Sequence, residues 1–203
     1  MDCVAMDDAV AAARTGDPAA FGQLWRELSP RVAGYLRSHG VADAEDVTSD
    51  VFLAVFRQMG HFSGGGAAFR ALVFTVAHRR QVDWHRQRTR RGTWVTLDEA
   101  GPDPTEPSAE AAALGLLAEK EVAEVLETLT PDQRSVLLLR VVADLSLEET
   151  ATVLGKDLGA VKSLQHRALA RLRRNLPGVA GNENLSPEPY PGDALARLNP
   201  RHA

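Results

Sequence analysis

Residues Thr130 to Arg174 read TPDQRSVLLLRVVADLSLEETATVLGKDLGAVKSLQHRALARLRR. The opening Thr130-Pro131-Asp132-Gln133 offers an N-cap hydroxyl, a proline whose fixed φ suits the first helical position, and a glutamine able to reach back to the cap. That capping box predicts a helix from 131 to about 143. Ser146-Leu147-Glu148-Glu149 is a second capping box. It opens a short helix with Leu147, Thr150, Ala151 and Leu154 on one face and Gly155 as its stop. Asp157 then caps a third helix. Short helix, glycine turn and longer helix make the helix-turn-helix pattern, whose last helix enters the major groove of duplex DNA.

On that last helix Val161, Gln165, Ala168 and Leu172 fall on one face, with Leu164 and Leu169 at its margins. Lys162, Ser163, His166, Arg167, Ala170, Arg173 and Arg174 project from the other side. Early residues of a recognition helix meet base edges and later arginines meet phosphates. Lys162, Ser163, His166 and Arg167 are therefore assigned to bases, and Arg171, Arg173 and Arg174 to the backbone.

Upstream, Gly92 to Ser108 holds Pro102, Pro104 and Pro107 and has neither helical nor strand periodicity, so it reads as a linker. Beyond Leu176 the chain carries five of its 11 prolines and is expected to be disordered. The expected organisation is all-α: a first helical domain over 1–91, a flexible acidic linker over 92–111, a second helical domain over 112–176 and a proline-rich tail over 177–203.

In the first domain, helical patterns cover Asp7 to Thr15, Pro18 to Ser38, Asp43 to Met59 and Ala67 to Arg90. In the third, Asp43 is the expected N-cap. Val47, Val51, Ala54 and Val55 form a buried stripe, which Phe52, Phe56 and Met59 extend sideways. A second stripe, Asp43, Asp46, Asp50, Leu53 and Arg57, is acidic at its start and expected to face solvent. Acids at a helix N-terminus complement its dipole, but a stripe this long also suits a docking face. Phe62 to Ala67 reads as a flexible glycine joint. The helix after it begins apolar and ends with six arginines interleaved with His78, Trp84 and His85. Guanidinium groups beside ring faces suit a single nucleic-acid strand. No Lys-Ser or Lys-Thr follows the glycines, which excludes a phosphate-cradling P-loop.

The composition agrees. The net charge of −4 conceals +6 over residues 60–91 and +5 over 155–174, set against −5 over 92–110 and −5 over 111–154. One basic run can be a solvated helix face; two helical ones point to two polyanion contacts. With Cys3 the only cysteine, disulfide frameworks and cysteine-based zinc sites are excluded, and an intracellular, soluble protein is expected. No apolar run approaches the roughly 20 residues that span a bilayer. The acidic first residues do not look like a signal peptide.

At these residues the chain resembles the extracytoplasmic-function (ECF) group of the sigma-70 family, bacterial RNA polymerase sigma factors. The first domain resembles sigma region 2 through Asp43-Ala-Glu-Asp-Val-Thr-Ser-Asp-Val-Phe-Leu-Ala-Val-Phe56 and Phe69-Arg-Ala-Leu-Val-Phe-Thr-Val-Ala-His78. The second resembles region 4 through Leu129-Thr-Pro-Asp-Gln-Arg-Ser-Val-Leu-Leu-Leu-Arg140, Leu145-Ser-Leu-Glu-Glu-Thr-Ala151 and Gly159-Ala-Val-Lys-Ser163. The resemblance covers about residues 18–176.

It implies a cytoplasmic transcription initiation factor without catalysis or cofactor of its own. Asp43, Asp46, Asp50, Leu53 and Arg57 would dock on the β′ clamp of core RNA polymerase, and the second domain on the β flap. His61, Phe62, Ser63, His78, Arg79 and Arg86 would read the −10 element as melted strand, with a flipped base held near the glycine loop. Lys162, Ser163, His166, Arg167, Arg171, Arg173 and Arg174 would read the −35 element as duplex. The acidic linker would imitate nucleic acid on the path to the active site, and an anti-sigma factor is an expected partner. One departure is Leu164, where many relatives carry an arginine after the Lys-Ser pair.

Two rivals remain in view. A stand-alone helix-turn-helix regulator explains residues 130–174 but neither the acidic stripe nor the Gly-Arg-Trp segment. A phosphodiester-cleaving enzyme needs clustered carboxylates with a metal or a His base, and the six histidines show no ligand spacing.

Overall fold

The computed structural model describes residues 3–90 and 124–175. The expected linker over 92–111, the first residues of the second domain and the tail over 177–203 lie outside the described residues. Within them the chain is all-α, as expected. The first domain comprises α1 (Cys3–Arg14), α2 (Pro18–Ser38), α3 (Ala44–Arg57), a 3-10 turn (Met59–His61) and α4 (Gly66–Arg90). The second comprises α5 (Pro131–Val141), α6 (Leu147–Leu154) and α7 (Leu158–Asn175), with residues 124–127 helical before it.

In the first domain, Asp17 caps α2 by accepting from the Ala19 amide at 2.9 Å, with Pro18 at the first position. One face of α2 buries Leu24, Leu28, Val32, Tyr35 and Leu36 against Phe69, Val73, Phe74 and Ala77 of α4 and Val51, Phe52 and Val55 of α3. Trp25 meets Phe52 edge-on with ring centroids 4.7 Å apart, and Phe21 meets Phe56 at the same separation.

Three local expectations change. The buried face of α3 is Ala44, Thr48, Val51, Phe52 and Val55, whereas Val47 and Ala54 are only partly covered. Thr48 enters the core because its hydroxyl donates to the Ala44 carbonyl at 2.7 Å, which removes the cost of burying it. Asp43 stands at the N-cap position, but its side chain makes no capping hydrogen bond.

The glycine run is a clamped turn rather than a free joint. The Gly66 amide donates to the Asp7 carboxylate at 2.5 Å. A Cβ on Gly66 would lie 2.5 Å from Met6 Cγ, so α1 packs directly on the glycine backbone.

The second domain follows its punctuation closely. Thr130 accepts from the Gln133 amide at 3.3 Å while the Gln133 side chain accepts from the Thr130 amide at 3.1 Å. Ser146 and Glu149 exchange the same pair of bonds at 3.0 and 2.7 Å. Gly155, with φ of 61°, ends α6 in the left-handed conformation that lets the chain turn into α7. Asp157 accepts from the Ala160 amide at 2.8 Å, fixing the start of α7. Val161 and Ala168 are fully buried against α5 and α6.

The two domains touch. Leu138, Leu139, Ala143, Leu145 and Val153 of the second domain share one apolar cluster with the core of the first, and α4 packs on α6. Polar pairs border this seam. Arg134 donates to the Ser38 carbonyl at 3.1 Å, Arg70 pairs with Asp144 at 3.1 Å, and His39 Nε2 lies 2.9 Å from Ser135 Oγ.

Candidate nucleic-acid interface

On α7 the burial of Val161 and Ala168 turns the opposite side of the helix outward. Lys162, Ser163, His166 and Arg167 are all exposed and line one open concavity of about 600 Å³. Arg167 Nε donates to the Ser163 carbonyl one turn back at 3.2 Å, which restrains the guanidinium along the helix. Four donors therefore lie together on a helix 18 residues, or about 27 Å, long. Arg171, Arg173 and Arg174 are exposed farther along, beyond the concavity. Lys156 pairs with Asp132 at 3.0 Å and ties the turn before α7 to α5.

The expected acidic stripe on α3 is open to solvent throughout. Asp43, Asp46, Asp50 and Arg57 are exposed, and Leu53 keeps 53% of its accessible surface.

The residues expected to meet a melted strand divide into two groups. His61 and Ser63 are exposed at the turn before α4, and Arg79 and Arg86 on α4 itself. Phe62 is half-buried, its ring edge-on to Phe69 at 5.8 Å, so it anchors the turn to the core. His78 is half-buried and points the other way, with Nδ1 2.9 Å from the Tyr35 hydroxyl. The interleaved rings of α4 are likewise engaged within the chain. Trp84 packs against the core with the Arg88 guanidinium 5.2 Å from its ring centroid. His85 Nε2 is 2.8 Å from the His39 carbonyl.

These histidines converge on the seam, which sequence reasoning missed. His39 is buried, with Nδ1 2.9 Å from the Tyr35 carbonyl and Nε2 2.9 Å from Ser135 Oγ. A carbonyl can only accept, so Nδ1 carries the proton and neutral Nε2 accepts from the Ser135 hydroxyl. Burial pushes His39 down to about 4, with Arg134, His78 and His85 adding to the push and the Tyr35 carbonyl opposing it. Burial also lowers His78 and raises the Tyr35 phenol far above its ordinary value. Beside this cluster lies a cavity of about 610 Å³ bordered by His39, His85, Arg86, Arg90, Pro131 and Arg134. The sequence signal for the seam was the histidine content of α2 and α4, which reads equally well as a nucleic-acid face.

Comparison with known proteins bears on both domains. Residues 24–91 match the family model described as Sigma-70 region 2, and residues 119–172 match Sigma-70, region 4. The ECF RNA polymerase sigma factor BldN of Streptomyces coelicolor is 35% identical over 181 residues, spanning 88% of this chain and 69% of BldN. The ECF RNA polymerase sigma factor SigD of Mycobacterium tuberculosis is 35% identical over 181 residues, spanning 83% of this chain and 82% of SigD. Among solved structures, CnrH in complex with the cytosolic domain of CnrY matches with a TM-score of 0.62 at 28% identity, over 85% of this chain and 97% of CnrH. RpoE of Bartonella quintana, solved with the anti-sigma factor NepR, shares the fold at a TM-score of 0.61 and 22% identity, over 78% of this chain and 97% of RpoE. No helix among the described residues is long and apolar enough to cross a membrane. With both domains matched in order and relatives aligned along most of its length, the chain belongs to the ECF group of the sigma-70 family, the factors that direct RNA polymerase to promoters.

Proposed function

We propose that the chain is a non-catalytic specificity subunit that reads two promoter elements with its two domains. It acts in the cytoplasm, where the polymerase and its template are. The α7 helix enters the major groove of the −35 duplex, with Lys162, Ser163, His166 and Arg167 at base edges and Arg171, Arg173 and Arg174 on phosphates. His61, Phe62 and Ser63 hold a flipped base of the melted −10 element, while Arg79 and Arg86 follow the strand backbone and His78, 2.9 Å from the Tyr35 hydroxyl, supports α4 from behind. The stripe Asp43, Asp46, Asp50, Leu53 and Arg57 docks on the β′ clamp of core polymerase, and the second domain meets the β flap. An anti-sigma factor is the natural regulatory partner, since CnrH and RpoE were both solved with a bound partner protein.

The observation that carries this reading is the exposed donor face of α7, four side chains around one concavity on a helix-turn-helix. Its position on a chain with a separate acidic, leucine-bearing stripe favours a polymerase subunit over a regulator acting alone. Gel filtration with core polymerase, and separately with duplex promoter, tests it. Co-elution with core and weak retention of duplex by the free chain are expected. Tight binding of duplex with no association with core would sink the reading in favour of a stand-alone regulator.

A further inference from the structure

We infer that Asp7 of α1 is a positioning residue for −10 recognition: its carboxylate caps α4 from another helix and, by holding the Gly65-Gly66 peptide, sets how the turn carrying His61, Phe62 and Ser63 meets the melted strand. This rests on the −10 reading given above. Helix α1 lies before residues 24–91, the stretch that matches Sigma-70 region 2. The residues at the threshold of α4, Gly64 and Gly65, have no side chain to offer its first amides. Asp7 supplies the acceptor from 59 residues away, with the Gly66 amide donating to its Oδ1 at 2.5 Å. A carboxylate at that end of the helix also complements its dipole.

The carbonyl of the same peptide group, that of Gly65, accepts from the Phe69 amide at 2.9 Å. Both ends of one peptide unit are thus engaged, which stops the rotation that a Gly-Gly pair otherwise permits. Helix α1 is itself fixed, because Met6, Ala9, Val10 and Ala13 are buried in the core of the first domain. On the other side of the turn, the Phe62 ring lies edge-on to Phe69, and the Phe62 amide donates to the Met59 carbonyl at 3.1 Å. A Cβ on Gly64, whose φ is 147°, would lie 2.8 Å from Ala68 Cβ, so the chain passes close over the start of α4. Ser63 therefore stands between two anchors, Phe62 on the core and Gly66 on Asp7. His61 keeps the backbone bonds of its 3-10 turn if the second anchor is lost, whereas the stretch from Ser63 to Gly65 loses its fixed end. Asp7 thus acts on base selection through the turn.

The bond can be broken from either side in the full chain, with transcription by core polymerase from single-base promoter variants as the readout. Asp7→Ala removes the acceptor. Gly65→Ala places a Cβ 2.5 Å from Asp7 Oδ1, the free end of a side chain, so the carboxylate gives way rather than the backbone. Each variant is expected to lose about fivefold or more of its preference at the same −10 position, with −35 preferences kept within about twofold. Asp7→Asn, whose amide oxygen still accepts, should retain most of that preference. Combining Asp7→Ala with Gly65→Ala should add less than about twofold to the loss from Asp7→Ala alone, because Gly65→Ala acts through the Asp7 carboxylate. Unchanged −10 preference in both single variants, equal losses at −35, fully additive losses in the double variant, or an asparagine no better than alanine would overturn the inference. The −10 reading is tested separately by His61→Ala and Ser63→Ala. If these shift −10 preference while the Asp7 and Gly65 variants do not, that reading stands and this inference falls; if these too leave every −10 preference unchanged, both fall.

Discussion

Acidification should weaken the seam through His39, by an amount the structure allows to be worked out. In the unfolded chain its imidazole titrates near 6.5, whereas in the fold burial holds it at about 4. Between those values the unfolded state binds the extra proton, so stability rises with pH through this window and is flat above it. Falling from pH 7 to pH 5 should cost about 2 kcal/mol from this residue alone, and still lower pH roughly 1 kcal/mol more. The proton cannot be accommodated in place. Nδ1 already donates to the Tyr35 carbonyl, and a charged ring would face Arg134 without a carboxylate partner. Charge on His78 and His85 opposes it as well.

Urea unfolding of the wild-type chain and of His39→Gln at pH 7 and pH 5 isolates the effect, because glutamine keeps polar atoms near the seam but does not titrate. The wild type should lose about 2 kcal/mol more than the variant over that interval, above the 10–15% error of linear extrapolation. Parallel losses in the two proteins, within about 0.5 kcal/mol, would refute the buried neutral imidazole and the tautomer assigned to it.

Three other outcomes are expected. Replacing His166 or Arg167 with alanine should relax preference at one −35 position by roughly 1–3 kcal/mol if a bidentate contact is lost, measured by transcription from single-base promoter variants; unchanged preference would remove them from the bases. Asp46→Lys with Asp50→Lys should weaken assembly with core polymerase while leaving thermal stability nearly unchanged, since both residues are exposed; normal assembly in a pull-down would contradict the docking stripe. Gly66→Ala should destabilise the first domain by about 1–3 kcal/mol, because its Cβ would meet Met6 Cγ at 2.5 Å; a neutral change in Tm would show that α1 yields.

The second domain was legible in the sequence because its punctuation is local. Each capping box closes within four residues, and Gly155 alone determines where α6 must end, so the predicted faces of α7 reappear with Val161 and Ala168 buried and the donors outward. The first domain was legible in outline. Its details depended on bonds that hydrophobic periodicity does not register: Thr48 buried on its own backbone, Asp43 at the cap position without a side-chain bond, and Asp7 clamping a glycine 59 residues away. The seam was least legible. His39 and Ser135 are 96 residues apart, as are Ser38 and Arg134, and polar pairs at such separation leave no periodic trace. His78 and His85 were read for nucleic acid because histidine beside arginine carries the same signature in either setting.

The central claim, that this chain gives core polymerase its choice of promoter by reading two elements, is tested most directly by run-off transcription. Templates randomised at each position of the −35 and −10 elements would be transcribed by core polymerase with and without the chain. The account predicts discrete start sites only when the chain is present, with preferences at −35 altered by Arg167→Ala and those at −10 unaffected by it. Transcription no more selective than that of core polymerase alone, or preferences indifferent to α7, would contradict it.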